Sequence, residues 1–310
     1  MTRRMMLRST VGLLAVGMTP RFAIGADPAP AGAAAMFAGK IEATKLADDL
    51  YMLSGGGGNG AVLFDADRLL VIDSGIPTRG AEILAAAMKF SPEAKRKTLF
   101  NTHWHFDHAG GNSEFAKAGF TIVGSTACRK RLGETIVFED LGMTSEPAPE
   151  TSRPAVTFDQ DLSLYEASKV QITKIAPAHT DTDAIAFFEK QNVLHTGDVL
   201  FAGVFPVIDR STGGSLDGMI AASKQLLTLG DEKTRVIPGH GPLTDKAGIQ
   251  AQLDLLNTVH DRLAPLGEQK KTLDEVLAAN PLADLDDKWG RGFIRSPLFT
   301  RMAYGQWVKR

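Results

Sequence analysis

The sequence predicts an α/β protein built from stacked layers, and three features of its 310 residues carry that reading. Short apolar runs bounded by turn residues fill the middle of the chain, and helical patterns punctuate them without a regular β-α-β alternation. That mixture favours layers of helix and sheet over a doubly wound sheet. A hydrophobic content of 44% supplies enough apolar material for one large domain or two small ones.

Leu50 to Leu53, Ala61 to Phe64 and Leu69 to Ile72, the last closed by Asp73-Ser74-Gly75, predict strands joined by hairpins. Pro77 opens a helical stretch to Phe90; Ile83, Leu84, Ala87 and Met88 share one face, and Ser91-Pro92 stops it. A strand follows at Thr98 to Asn101. The second half repeats the grammar with strands at Ala155 to Phe158, Leu162 to Tyr165, Val170 to Ile175, Ala184 to Glu189 and Val193 to His195, a helix from Leu216 to Leu229, and a strand at Arg235 to Ile237. After Pro242 the pattern turns helical. Ile249, Leu253, Leu256 and Leu263 mark one helix face, and Thr272-Leu273-Asp274-Glu275 is a capping box opening a helix that ends before Pro281. The last segment concentrates Trp289, Phe293, Phe299, Tyr304 and Trp307, which are expected to pack this appendage onto the domain, with a lid or a homodimer contact as the alternative. No short internal repeat is visible.

The first 26 residues read as a secretory signal peptide: Arg3, Arg4 and Arg8 precede an apolar stretch from Val11 to Met18, and small residues follow around Ala23 and Ala26. The apolar stretch is shorter than the roughly 20 residues of a membrane span, so no permanent anchor is expected. The arginine pair resembles a twin-arginine export signal, although Met6 stands where that pattern usually has Phe; an ordinary secretory signal is the alternative. Residues 27–45 form a spacer, residues 46–243 the main domain and residues 244–310 a helical extension. Cleavage after residue 26 removes four arginines and no acid, leaving 30 basic against 36 acidic residues and turning a net charge of −2 into −6. So acidic a chain has no electrostatic reason to seek nucleic acid or anionic lipid. Its single cysteine, Cys128, excludes an intrachain disulfide framework and a cysteine zinc cluster.

Gly55-Gly56-Gly57-Gly58-Asn59-Gly60 satisfies G-x-G-x-x-G, but a dinucleotide fingerprint leaves a strand and opens a helix, whereas this run lies between two strands and reads as a hairpin turn. No G-x-S-x-G is present, so a serine elbow is not indicated. The informative segment is Asn101-Thr102-His103-Trp104-His105-Phe106-Asp107-His108, which places three of the seven histidines beside an aspartate at a strand end. Imidazole and carboxylate suit borderline metals such as zinc. His179 follows another strand, His240 sits in Pro238-Gly239-His240-Gly241 after a third, and strand-end loops are where sites gather.

The ordered set His-x-His-x-Asp-His, a lone His, Gly-Asp and Gly-His-Gly resembles the metallo-β-lactamase superfamily from about Leu46 to Pro242. The resemblance implies a four-layered αββα sandwich with metals at one edge between two sheets and, here, a C-terminal helical extension. It also implies two zinc ions per chain: His103, His105 and His179 on the first, Asp107, His108 and His240 on the second, and Asp198 bridging both. Asp107 takes a catalytic role in addition, orienting the nucleophile and passing its proton to the leaving atom. His195 is expected to make a buried hydrogen bond rather than ligate metal, and His260 to share the inward helix edge of Leu256.

Within that superfamily the best-known zinc β-lactamases lack a bridging carboxylate or use a cysteine, whereas this chain has Asp198 and a Cys128 far from every motif. The resemblance therefore points to an exported, periplasmic or secreted hydrolase of a small ester, lactone or thioester, with weak β-lactam hydrolysis in addition. The alternatives are a β-lactamase proper, a mononuclear non-haem iron persulfide dioxygenase using a His-His-Asp subset of these positions, and a non-catalytic metal-binding protein. The loops expected to set specificity are Gly55 to Gly60, Gly133 to Pro154 and Ala202 to Gly214.

Overall fold

The structure, a computed structural model, describes residues 39–165 and 169–308; the predicted leader and most of the spacer lie outside the described residues. Four strands open the chain as an antiparallel meander, β1 (Glu42–Lys45), β2 (Leu50–Ser54), β3 (Gly60–Phe64) and β4 (Arg68–Ile72). The direction then changes: α1 (Gly80–Met88) returns the chain so that β5 (Arg96–Phe100) lies parallel to β4. The short helices α2 (Phe106–Ala109) and α3 (Asn112–Lys117) lead to β6 (Thr121–Ser125), parallel to β5. After α4 (Thr126–Arg131), a separate hairpin of β7 (Ile136–Phe138) and β8 (Met143–Ser145) precedes β9 (Val156–Phe158), which closes a seven-stranded sheet beside β6.

The second sheet has six strands in sequence order, β10 (Leu162–Leu164), β11 (Val170–Lys174), β12 (Ala184–Phe188), β13 (Val193–His195), β14 (Arg235–Ile237) and β15 (Thr244–Asp245). Because β11 and β13 are each antiparallel to β12, and β13 is parallel to β14, strands β11, β13 and β14 all end at one edge. Helix α5 (Leu216–Leu227) connects β13 to β14, and α6 (Lys246–Glu268) follows β15.

Alternation along the strands builds the layers. Leu70 and Ile72 face a core shared with Ile172, Ala186 and Phe188 of the second sheet, while Leu69 and Val71 turn outward onto Ile83 of α1 and Phe115 of α3. In the second sheet Val193 faces inward, and Leu194 faces out onto Leu216 and Leu226 of α5 and Leu256 of α6. Strands buried on both faces read as continuous apolar runs. The result is the expected αββα order of layers.

The C-terminal helices α7 (Leu273–Ala279), α8 (Asp286–Trp289) and α9 (Ser296–Tyr304) continue the outer core of the second sheet. Thr272 and Glu275 form the capping box in both directions. Phe299 stacks on Phe205 with ring centroids 4.7 Å apart, and Trp289, Phe299 and Tyr304 are buried in the same cluster as Leu194 and Val236. These aromatics fill a core position, which is the packing role expected of them.

Three differences from the sequence reading have physical reasons. Strand β6 went unread because its five residues follow two short helices whose lengths give no periodic signal. Strand β1 is exposed at all four positions, so it carries no apolar alternation. Of the segment read as one loop, Gly133 to Pro154, six residues form the β7–β8 hairpin, and Val137 on it is 55% exposed.

Candidate metal centre

Both sheets direct the ends of parallel strands to one edge. From β5 the chain passes through Thr102 to His103 and His105, then enters α2 with Asp107 and His108 on its first turn. The end of β11 leads to His179, that of β13 to Asp198, and that of β14 to His240. All seven side chains predicted as ligands meet there. The donor atoms of His103, His105, His179 and Asp198 lie within 4.8 Å of one another, and so do those of Asp107, His108 and His240. Asp198 stands between the groups: its Oδ2 is 3.8 Å from His103 Nε2, 3.5 Å from His179 Nε2 and 3.4 Å from His240 Nε2, while its Oδ1 is 3.0 Å from His108 Nε2.

Ring orientation is fixed from behind, as metal-binding imidazoles require. His105 turns Nε2 to Asp209 Oδ2 at 3.1 Å, leaving Nδ1 facing His179 Nε2 at 2.8 Å. His179 Nδ1 is held by the Val207 carbonyl at 2.8 Å, and His108 Nδ1 by Asp73 Oδ2 at 2.7 Å. The same Asp73 carboxylate accepts from the Thr102 amide and hydroxyl, and the Thr102 hydroxyl lies 3.1 Å from His103 Nδ1. Asp73 has φ of +59°, a left-handed conformation that Asp tolerates, at the end of β4. Asp183 fastens the His179 loop by accepting from the backbone N–H groups of His179 and Thr180.

The cluster is deeply buried, and two of its donor atoms are left without a proper partner among the described residues. His103 Nε2 has no hydrogen bond, and neither has Asp198 Oδ1 despite the nearness of His108. Orphaned polar atoms in so dry a place cost about 1–3 kcal/mol each unless something satisfies them. Both atoms belong to the group of His103, His105, His179 and Asp198, where a divalent cation would satisfy them, and that donor set fits one. Burial, with the neighbouring rings, holds His103 well below its ordinary pKa, and burial pulls His179 down to about 4, so both rings are neutral and offer lone pairs. Burial pushes the Asp107 carboxyl up, but His108 and His240 beside it outweigh that and bring it to about 2. The opening lies over Asp107, His105 and His240, whose side chains are 13%, 9% and 9% exposed, against 4% or less for the other four.

Glycine is required where backbone touches these ligands. A Cβ on Gly58 would overlap the His108 ring, and one on Gly239 would overlap the Asp198 carboxylate. His195 is buried and its Nε2 meets the Asn59 carbonyl at 3.1 Å, so it does not ligate. His260 departs from expectation: Val259 and Leu263 take the inward edge of α6, while the His260 side chain is 39% exposed beside Asp217 and Trp307, away from the centre. Sequence reasoning missed Asp73, Asp209, Asn59 and Asp183. The turn after β4 was the one local signal for Asp73; Asn59 and Asp209 act through contacts remote in sequence, and Asp183, only four residues from His179, reads like an ordinary turn residue.

The chain belongs to the metallo-beta-lactamase superfamily, whose profile matches residues 53–243. Mitochondrial hydroxyacylglutathione hydrolase of Saccharomyces cerevisiae is 30% identical over 172 residues, 52% of this chain and 54% of the relative. The probable metallo-hydrolase YqgX of Bacillus subtilis is 25% identical over 205 residues, 64% of this chain and 92% of its own. The chain thus spans about half the length of the first of these relatives. Among solved structures, a metallo-beta-lactamase from Pontibacter korlensis shares the fold with a TM-score of 0.55 at 21% identity, covering 70% of this chain and 99% of the other. The DIM-1 metallo-beta-lactamase does so at 0.57 and 18%, covering 71% and 98%.

Proposed function

We propose that this protein is a two-zinc hydrolase of small thioesters. The observation that carries the reading is the pair of donor groups joined by one buried carboxylate, Asp198, with orphaned donor atoms on His103 and on Asp198 itself. His103, His105 and His179 would hold one ion, Asp107, His108 and His240 the other, and Asp198 both. When bound, the two ions supply Lewis acidity toward a carbonyl oxygen and bring the pKa of a shared water from about 15.7 toward about 7.

The chain's own residues do the rest. Asp209, Val207 and Asp73 hold the outer nitrogens of His105, His179 and His108, so that ring aim is set before substrate arrives. Asp107 is the most exposed member of the cluster, with Oδ2 3.1 Å from His240 Nε2, and it is ionised at neutral pH. Its carboxylate can orient the attacking water, take its proton and return that proton to the leaving atom. A thiol leaves readily as thiolate because its pKa is only about 8.5, so cleavage of the C–S bond does not have to wait for the proton's return. Hydroxyacylglutathione hydrolases are named for a thioester-type substrate, and their similarity to this chain supports thioesters over lactones or β-lactams.

The test is a substrate panel. Zinc-loaded protein is assayed on an acyl-glutathione thioester, an acyl-homoserine lactone, a β-lactam and a phosphodiester; the thioester is expected to give the highest kcat/KM. A β-lactam turned over faster than the thioester overturns the reading. The proposal also places the mature enzyme outside the cytoplasm, on the strength of Arg3, Arg4, Arg8 and the apolar stretch that follows them. Cell fractionation is expected to find a shortened chain in the periplasm of a Gram-negative host, and a full-length chain confined to the cytoplasm contradicts it.

A further inference from the structure

The glycine-rich turn between β2 and β3 carries one polar side chain, Asn59, and it is buried against the opposite half of the molecule. Its Nδ2 donates to the carbonyls of Pro238 and Gly241, at 2.9 Å each, and its backbone N–H donates to the Gly239 carbonyl at 2.7 Å. These three carbonyls flank His240 on both sides. The Asn59 carbonyl in turn accepts from His195 Nε2, and His195 Nδ1 accepts from the Gly197 amide next to Asp198.

From these contacts we infer that Asn59 is a positioning residue that aims His240 and thereby sets the affinity of the second metal position. The inference rests on the two-metal reading above. A carboxamide offers two in-plane N–H donors, and the two carbonyls bracketing His240 use both. Leucine has similar volume and no donor; serine has one donor and shorter reach. One face of the His240 ring meets Phe201, stacked with centroids 5.0 Å apart and planes 17° apart, while the Ala202 amide donates to the His240 carbonyl at 2.8 Å. Phe201 thus meets the ring itself, while the Asn59 clamp holds the backbone that carries it. The neighbouring Gly58 abuts His108, so one turn braces two ligands of the same metal position. The first position has no contact with this turn among its imidazole ligands: Asp209, Val207 and Thr102 serve His105, His179 and His103. Loss of Asn59 is thus expected to act on one position and spare the other.

The experiment compares wild type with Asn59→Leu and Asn59→Ser. Metal-stripped proteins are titrated with zinc against a chromophoric chelator, and with cobalt while the visible spectrum is followed. The first equivalent is expected to bind as in wild type and the second about 10–100-fold more weakly, with an altered cobalt spectrum only on the second addition. Thioester kcat at limiting zinc falls and is restored by excess zinc, with KM unchanged. Two equivalents bound as in wild type overturn the proposal, as does equal weakening of both equivalents. Failure of both variants to fold overturns it too, because a residue that only aims His240 is dispensable for folding. A wild type that takes up a single equivalent overturns the two-metal reading and the brace with it, whereas variants that match a two-zinc wild type overturn the brace alone.

Discussion

Asp73 and Asp209 donate no ligand in either group, yet each decides what a ligand can do. Asp209 lies behind His105 and leaves Nδ1, not Nε2, facing the centre, while Asp73 collects Thr102 and His108 with one carboxylate. His195 occupies a third such place, and its burial has a consequence for stability. Burial holds the ring down to about 4, below its ordinary value of 6.5. An unfolded chain therefore protonates this ring as pH falls through 6.5, while the native chain does not until about 4. The native state binds fewer protons in that window, so the contribution of His195 to stability is full above 6.5 and is lost as pH falls toward 4. Between pH 7 and 5 the metal-free wild type is expected to lose about 2 kcal/mol more than metal-free His195→Gln, read from urea unfolding. Equal losses contradict the burial argument. The seven side chains that converge at the centre were legible in the sequence because they are chemically distinctive and ordered along the chain. Asn59, Asp183 and Asp209 were not, because an Asn or Asp in a loop looks like any turn former until the fold sets it against a ligand.

At the scale of elements, legibility followed periodicity. Strands β2, β3, β4, β12 and β13 and helices α1 and α5 were each read within a few residues of their bounds, and α6 was read from the apolar face of Ile249, Leu253, Leu256 and Leu263. What lacks a period was missed. Helix α2 has four residues, too few for a face, yet it carries Asp107 and His108 and has His105 at its N-cap position. The glycine run that formally matched a nucleotide motif connects two antiparallel strands, and its close approach to His108 explains its composition better than phosphate binding does. The Ala202 to Gly214 segment, expected to choose the substrate, spends Val207 and Asp209 on His179 and His105.

For the whole molecule, the centre is a joint between halves. The first sheet and its helices bring His103, His105, Asp107 and His108; the second brings His179, Asp198 and His240. Neither half holds a complete ligand set. The order of layers follows from strands that are apolar on both faces, whereas the bringing together of the halves rests on contacts such as Asn59 to Pro238 that no local pattern announces. The central claim is that hydrolysis needs both groups of donors filled. The direct measurement is zinc titration of the stripped protein while thioester cleavage is followed. Activity is expected to be absent at the start and to reach its plateau at two equivalents per chain; full cleavage by the metal-free protein, or none at any zinc loading, contradicts it.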